Sequence, residues 1–163
     1  MITKEQYIES LVREIEIIKH LAGKVDPTKL DYRPTEKQRS TLELMQYMGQ
    51  MVTTGITAYI AGNQNMHMEL SKNKDSITFE NFISKMDEQA KFVKETVGAL
   101  TEADMTKEST IFGSTRPLAM HLLQALKSTT AYKMQLFLYI KASGNDSIST
   151  SNLWGGMDMP AKA

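Results

Sequence analysis

A chain of 163 residues with 19 basic and 19 acidic side chains and no cysteine is bounded before any motif is read. Its length suits one well-buried core plus a tail, and its balanced charge excludes a broad field for nucleic acid or for an anionic membrane. The missing thiols exclude disulfides, thiolate metal ligands and a thiol nucleophile of the chain's own.

The start, MITKEQYIES, is polar and runs straight into a helical pattern, and no apolar run reaches membrane-spanning length. This predicts a cytoplasmic protein without leader or membrane span. Thr3 and Gln6 have capping-box spacing, and Ile8, Leu11, Ile15, Ile18 and Ala22 share one face, so the first helix is expected over Lys4 to Ala22, ending at Gly23. His20 pairs at spacing four with Glu16 and reads as a surface residue. In the stretch KVDPTKLDYRPTEKQR, Pro27 and Pro34 forbid a continuous helix. It reads as an ordered connector anchored by Leu30 and Tyr32.

Ser40 and Glu43 form a second capping box, opening a helix that Leu42, Met45, Gly49, Val52, Ile56 and Tyr59 carry to about Ala61. Gly49 and Gly55 lower its propensity by roughly 1 kcal/mol each relative to Ala, which predicts close approach by another helix, within the chain or from a partner subunit. Met45, Met48 and Met51 read as flexible core filler. The segment GNQNMHMELSKNKDS predicts a long mobile loop with a solvated His67. Thr78 is the expected cap of a third helix whose apolar stripe runs from Phe79 through Phe82, Met86, Ala90, Val93 and Val97 to Leu100.

A crossing segment follows, with Ile111 and Phe112 as an apolar plug. The last helix is expected from Thr115 or Arg116, with Pro117 in its first turn, to Ser143 and Gly144. Leu118, Leu122, Ala125, Thr129, Tyr132, Leu136 and Tyr139 give it a core-facing stripe, polar in the middle, from Ser128 to Tyr132. No strand series is evident. The pattern is an all-α four-helix bundle over residues 1–144, with a long connector between helices 1 and 2. An extended tail over 145–163 is expected to dock through Trp154.

The chemistry-bearing motifs are few. No glycine-rich phosphate loop, no GxSxG elbow and no Glu-x-x-His pair occurs. His121 is the one histidine on a core-forming helix; it reads as a hydrogen-bonded core residue that could add polarity to a pocket, with Gln135 as a second polar candidate.

Two stretches, LDYRPTEKQRSTLELMQYM and KMQLFLYIKASG, resemble the DinB-like superfamily, which includes YfiT-like and thiol-transferase members. The likeness runs from Leu30 to Gly144 and is sharpest in the RPT, RS and acidic run before helix 2 and in the Gln-Leu-x-x-Tyr-hydrophobic-basic run before the last glycine. It implies a four-helix bundle, often a homodimer. In many members it also implies one divalent metal on three histidines, one from helix 2 and two, four residues apart, from the last helix.

The positions that match those ligands are Tyr47, Ser128 and Tyr132, and Lys133-Met134 stands where the family usually has Arg-Gly. A phenol must lose a proton with a reference pKa of about 10 before it ligates, and a serine hydroxyl is a poor ligand for zinc or nickel. The resemblance thus implies a bundle without metal or other cofactor, a non-catalytic binding or interaction module. Tyr47, Ser128 and Tyr132 would bond to one another or line a cleft for a small organic ligand. The alternative is a thiol-dependent S-transferase or isomerase acting on a small electrophile, with His121 taking the metal's part.

Overall fold

The computed structural model describes residues 2–159. Helix α1 spans Lys4–Ala22, and its capping box forms as expected: the Thr3 hydroxyl accepts the Gln6 amide and the Gln6 side chain returns to the Thr3 amide. The connector holds one short turn, Pro27–Lys29, capped by Asp26. Leu30 and Tyr32 are its anchors, because their carbonyls accept the Leu42 and Thr41 amides and both side chains pack on the core. Helix α2, Thr41–Ala61, starts at the Ser40–Glu43 box and ends at Gly62, whose left-handed backbone suits a residue without Cβ.

The segment expected to be a mobile loop is instead helical. Asn63 caps helix α3, Gln64–Leu70, and a 3-10 stretch follows over Ser71–Ser76. A seven-residue helix is not stable alone. Tertiary bonds hold this one: the Gln50 amide donates to the Ser71 carbonyl, the Gln46 amide to the Ile77 carbonyl, and Gln64 accepts the Phe112 amide. Thr78 does form a cap-like exchange with Asn81, but helix α4 begins later, at Phe82–Phe92, and runs into a π-turn over Val93–Val97.

The crossing segment holds a short helix α5, Glu102–Thr106, and a hairpin that the sequence pattern missed. Strands β1, Glu108–Ile111, and β2, Ser114–Pro117, pair antiparallel around Phe112 and Gly113. Both turn residues have positive φ, 49° and 73°, the geometry of the tight hairpin turns whose twist matches the strands. Arg116 and Pro117 therefore belong to a strand. Helix α6 runs over Leu118–Ala142.

The core lies among α1, α2, α4 and α6, with Leu11, Ile15, Leu44, Met48, Phe82, Met86, Leu122 and Leu136 at its centre. Gly49 has a local explanation: a Cβ there would meet the Ile77 side chain at 3.0 Å, so the close approach comes from the segment before α4. Gln89 is a polar exception beside the α4 stripe. Buried, it accepts the Val52 amide and donates to the Met48 carbonyl, each at 2.9 Å, which ties α4 to one turn of α2.

The tail is described through Met159, with 160–163 outside the described residues; the Trp154 ring lies over Lys133 of α6 but stays 57% exposed. Ile148 and Leu153 supply the buried apolar contact instead, and Asn152, also buried, donates to His20 Nε2 and to Asp158. Lys24 pairs with Asp158 at 2.7 Å, and Arg13 bonds the Gly155 carbonyl. His20, expected on the surface, is thus partly covered by the tail. No helix among the described residues is long and apolar enough to cross a membrane.

Candidate functional site

Helices α2 and α6 pack side by side but leave a cleft of about 240 Å³ between them. From α2, Tyr47, Met51, Gly55 and Tyr59 face it at intervals of four, which places them on one row of the helix. Ala125, Ser128 and Thr129 of α6 form the opposite wall, with Gln124 at its edge. Gly55 leaves that wall open, since a Cβ there would have only the Tyr59 ring near it, at 3.9 Å.

The far end is closed by two elements that the sequence pattern did not place there. His67 of α3 and Phe112 of the hairpin both line the cleft, their rings edge to face with centroids 6.1 Å apart. Phe112 is 60% exposed, so Ile111 alone is the buried plug. An aromatic residue at φ 49° is strained, and such strain persists where the surroundings over-determine it. Here the Gln64 side chain fixes the Phe112 amide at 2.9 Å. Burial lowers the His67 pKa, against the opposing effect of the Thr54 carbonyl, so the neutral imidazole is favoured.

The three positions singled out by resemblance are brought together in part. Tyr47 and Tyr132 pack as tilted rings with centroids 4.8 Å apart, and the Arg39 guanidinium lies 4.4 Å from the Tyr47 ring centre. Ser128 shares the cleft wall with Tyr47, but its hydroxyl accepts from Gln124 at 3.3 Å and not from either tyrosine. Burial, followed by the neighbouring Tyr132 phenol, pushes the Tyr47 pKa up to about 12. Tyr59 is raised by burial as well.

These donors do not fit a divalent ion. Tyr47 stays a neutral phenol at physiological pH, and no group of three His, Cys, Asp or Glu side chains forms among the described residues. His121 stands apart from the cleft. It is buried, stacked on Tyr59 with rings 5.4 Å apart, and its Nε2 lies 3.1 Å from the Ser109 carbonyl, so it ties α6 to β1. Gln135 is also elsewhere: it donates to the Tyr139 hydroxyl, which in turn donates to the Arg39 carbonyl.

Four main helices, a long connector between the first two and a cleft between the second and the last define an all-α bundle, and its fold is the DinB-like one. The solved structure of YjoA, a DinB-like protein from Bacillus subtilis, aligns with a TM-score of 0.72 over 88% of this chain and 96% of that one, at 17% identity. No family model and no curated protein sequence matches the chain.

Proposed function

We propose that this DinB-like bundle is a metal-free, non-catalytic binding module whose α2–α6 cleft takes a small organic ligand. The observation that carries the reading is the lining: neutral phenols, hydroxyls, an amide and a neutral imidazole set among Met51, Val52 and Ala125, with no charged side chain. Ligand sites have this composition, apolar walls with a few placed polar groups. An apolar cavity near 150 Å³ holds benzene, so about 240 Å³ has room for one ring with substituents.

The thiol-transferase alternative needs a group to activate the thiol, and His121 is committed to the Ser109 carbonyl. A homodimer is part of the proposal. Leu138, 54% exposed on α6, and Trp154 are apolar side chains that a second subunit would cover.

Amide NMR with a set of uncharged aromatic fragments tests the reading. Shifts gathered on Tyr47, Met51, Gly55 and Ser128 are expected. Shifts scattered over the surface, or thiol conjugation by the purified protein, would overturn it.

A further inference from the structure

A second depression lies on the other side of Tyr47. Glu43, Tyr47, Met51, Gly55 and Tyr59 continue one row along α2; the first two border this depression, of about 250 Å³, and the last four border the cleft. Tyr47 is the shared wall. The charge changes across it. Arg33, Lys37, Arg39 and Lys74 border the second depression against Glu36 and Glu43, four cations to two carboxylates in a chain whose totals cancel.

Some of this charge is already used. Arg33 pairs with Glu43 at 3.3 Å, and Glu43 also accepts the Ser40 amide at 2.7 Å as part of the α2 cap. Arg39 pairs with no carboxylate among the described residues and lies against the Tyr47 ring. Its backbone is fixed by the Tyr139 hydroxyl, which Gln135 supports. A guanidinium held on a ring keeps its donor edges free and loses little entropy on meeting a planar anion. Lys37 and Lys74 add two mobile point charges at the same rim.

We infer that the cleft's ligand is an organic anion, its uncharged body against Tyr47, Met51 and Gly55 and its carboxylate or phosphate on Arg39, Lys37 and Lys74. This rests on the reading that the cleft binds a small organic molecule. From Glu43 to Met51 is two helical turns, about 12 Å, the span of a substituted ring with a short linker. The anion meets the protein at an exposed rim, so its contribution weakens as salt screens it.

Calorimetry and amide NMR on the full chain with phenol, phenylacetate, phenyl phosphate and inorganic phosphate test this. One or both charged aromatics should bind about tenfold tighter than phenol, with shifts at Arg39 and Lys74 as well as along Tyr47 to Gly55. The gain should vanish in Arg39→Ala/Lys74→Ala and at high salt. Whichever charged probe gains more assigns the headgroup. Equal affinity of phenol and its charged analogues would overturn the inference and leave the cleft reading standing. Inorganic phosphate binding as tightly as phenyl phosphate would also overturn it, since the anion would then be held without the cleft. Shifts at no cleft residue with any aromatic probe would remove both.

Discussion

Tyr47 carries most of the site's physics at the level of single residues. Its phenol is raised to about 12 by burial and then by Tyr132, above the unfolded value of about 10. The protonated phenol therefore favours the folded state, fully below pH 10, and that contribution is lost as pH climbs from 10 to 12. Absorbance titration of the native protein should show late-ionising tyrosines, and Tyr47→Phe should remove one of them.

Two buried polar residues make sharper stability tests. Gln89→Leu removes its two buried bonds, to the Val52 amide and the Met48 carbonyl, and should cost about 2 kcal/mol in denaturant unfolding. Lys133, 0% exposed, pairs with Glu14 at 2.8 Å and lies under the Trp154 ring at 4.7 Å. Lys133→Met should cost about 3 kcal/mol because Glu14 is left unpaired, and adding Glu14→Gln should recover part of the loss. The sequence shows neither role: Gln89 sits beside an apolar stripe, and Lys133 is marked only by standing where the resembling family usually has Arg.

Among the elements, α1 and α2 were legible because local signals agree with tertiary ones: capping boxes, apolar stripes, and a left-handed Gly62 closing α2. Helix α3 and the hairpin were not legible because what holds them is remote. Gln64 reaches 48 positions to the Phe112 amide. Gln64→Ala should loosen both elements, with amides of α3 exchanging faster while those of α2 do not change.

The tail shows a similar gap: the tryptophan drew attention, yet Ile148, Asn152 and Leu153 do the docking. Asp158 has its pKa lowered, first by the Lys24 ammonium and also by Asn152. Its contribution to docking is present above the ordinary carboxylate pKa and is lost as pH falls through the lowered one. Trp154 fluorescence should shift in that acid range, and Asp158→Asn should abolish the shift.

For the whole molecule, the bundle and its cleft answer to different parts of the sequence. The core repeats at helical spacing and could be read directly; Leu11, fully buried on α1, should cost about 3 kcal/mol when cut to Ala. Of the three positions to which resemblance pointed, Tyr47 and Ser128 line the cleft, while Tyr132 packs behind Tyr47. His67 and Phe112 enter the cleft from elements whose positions no local pattern set.

What unites the molecule is a bundle that retains the DinB-like frame around a lining of uncharged groups. Elemental analysis after loading with zinc or nickel, followed by exhaustive dialysis, tests this most directly, with Tyr47→His/Ser128→His/Tyr132→His as the comparison. The account predicts no retained metal in the native chain and retention of up to one ion per chain in the triple variant. One tightly held ion per native chain would contradict it.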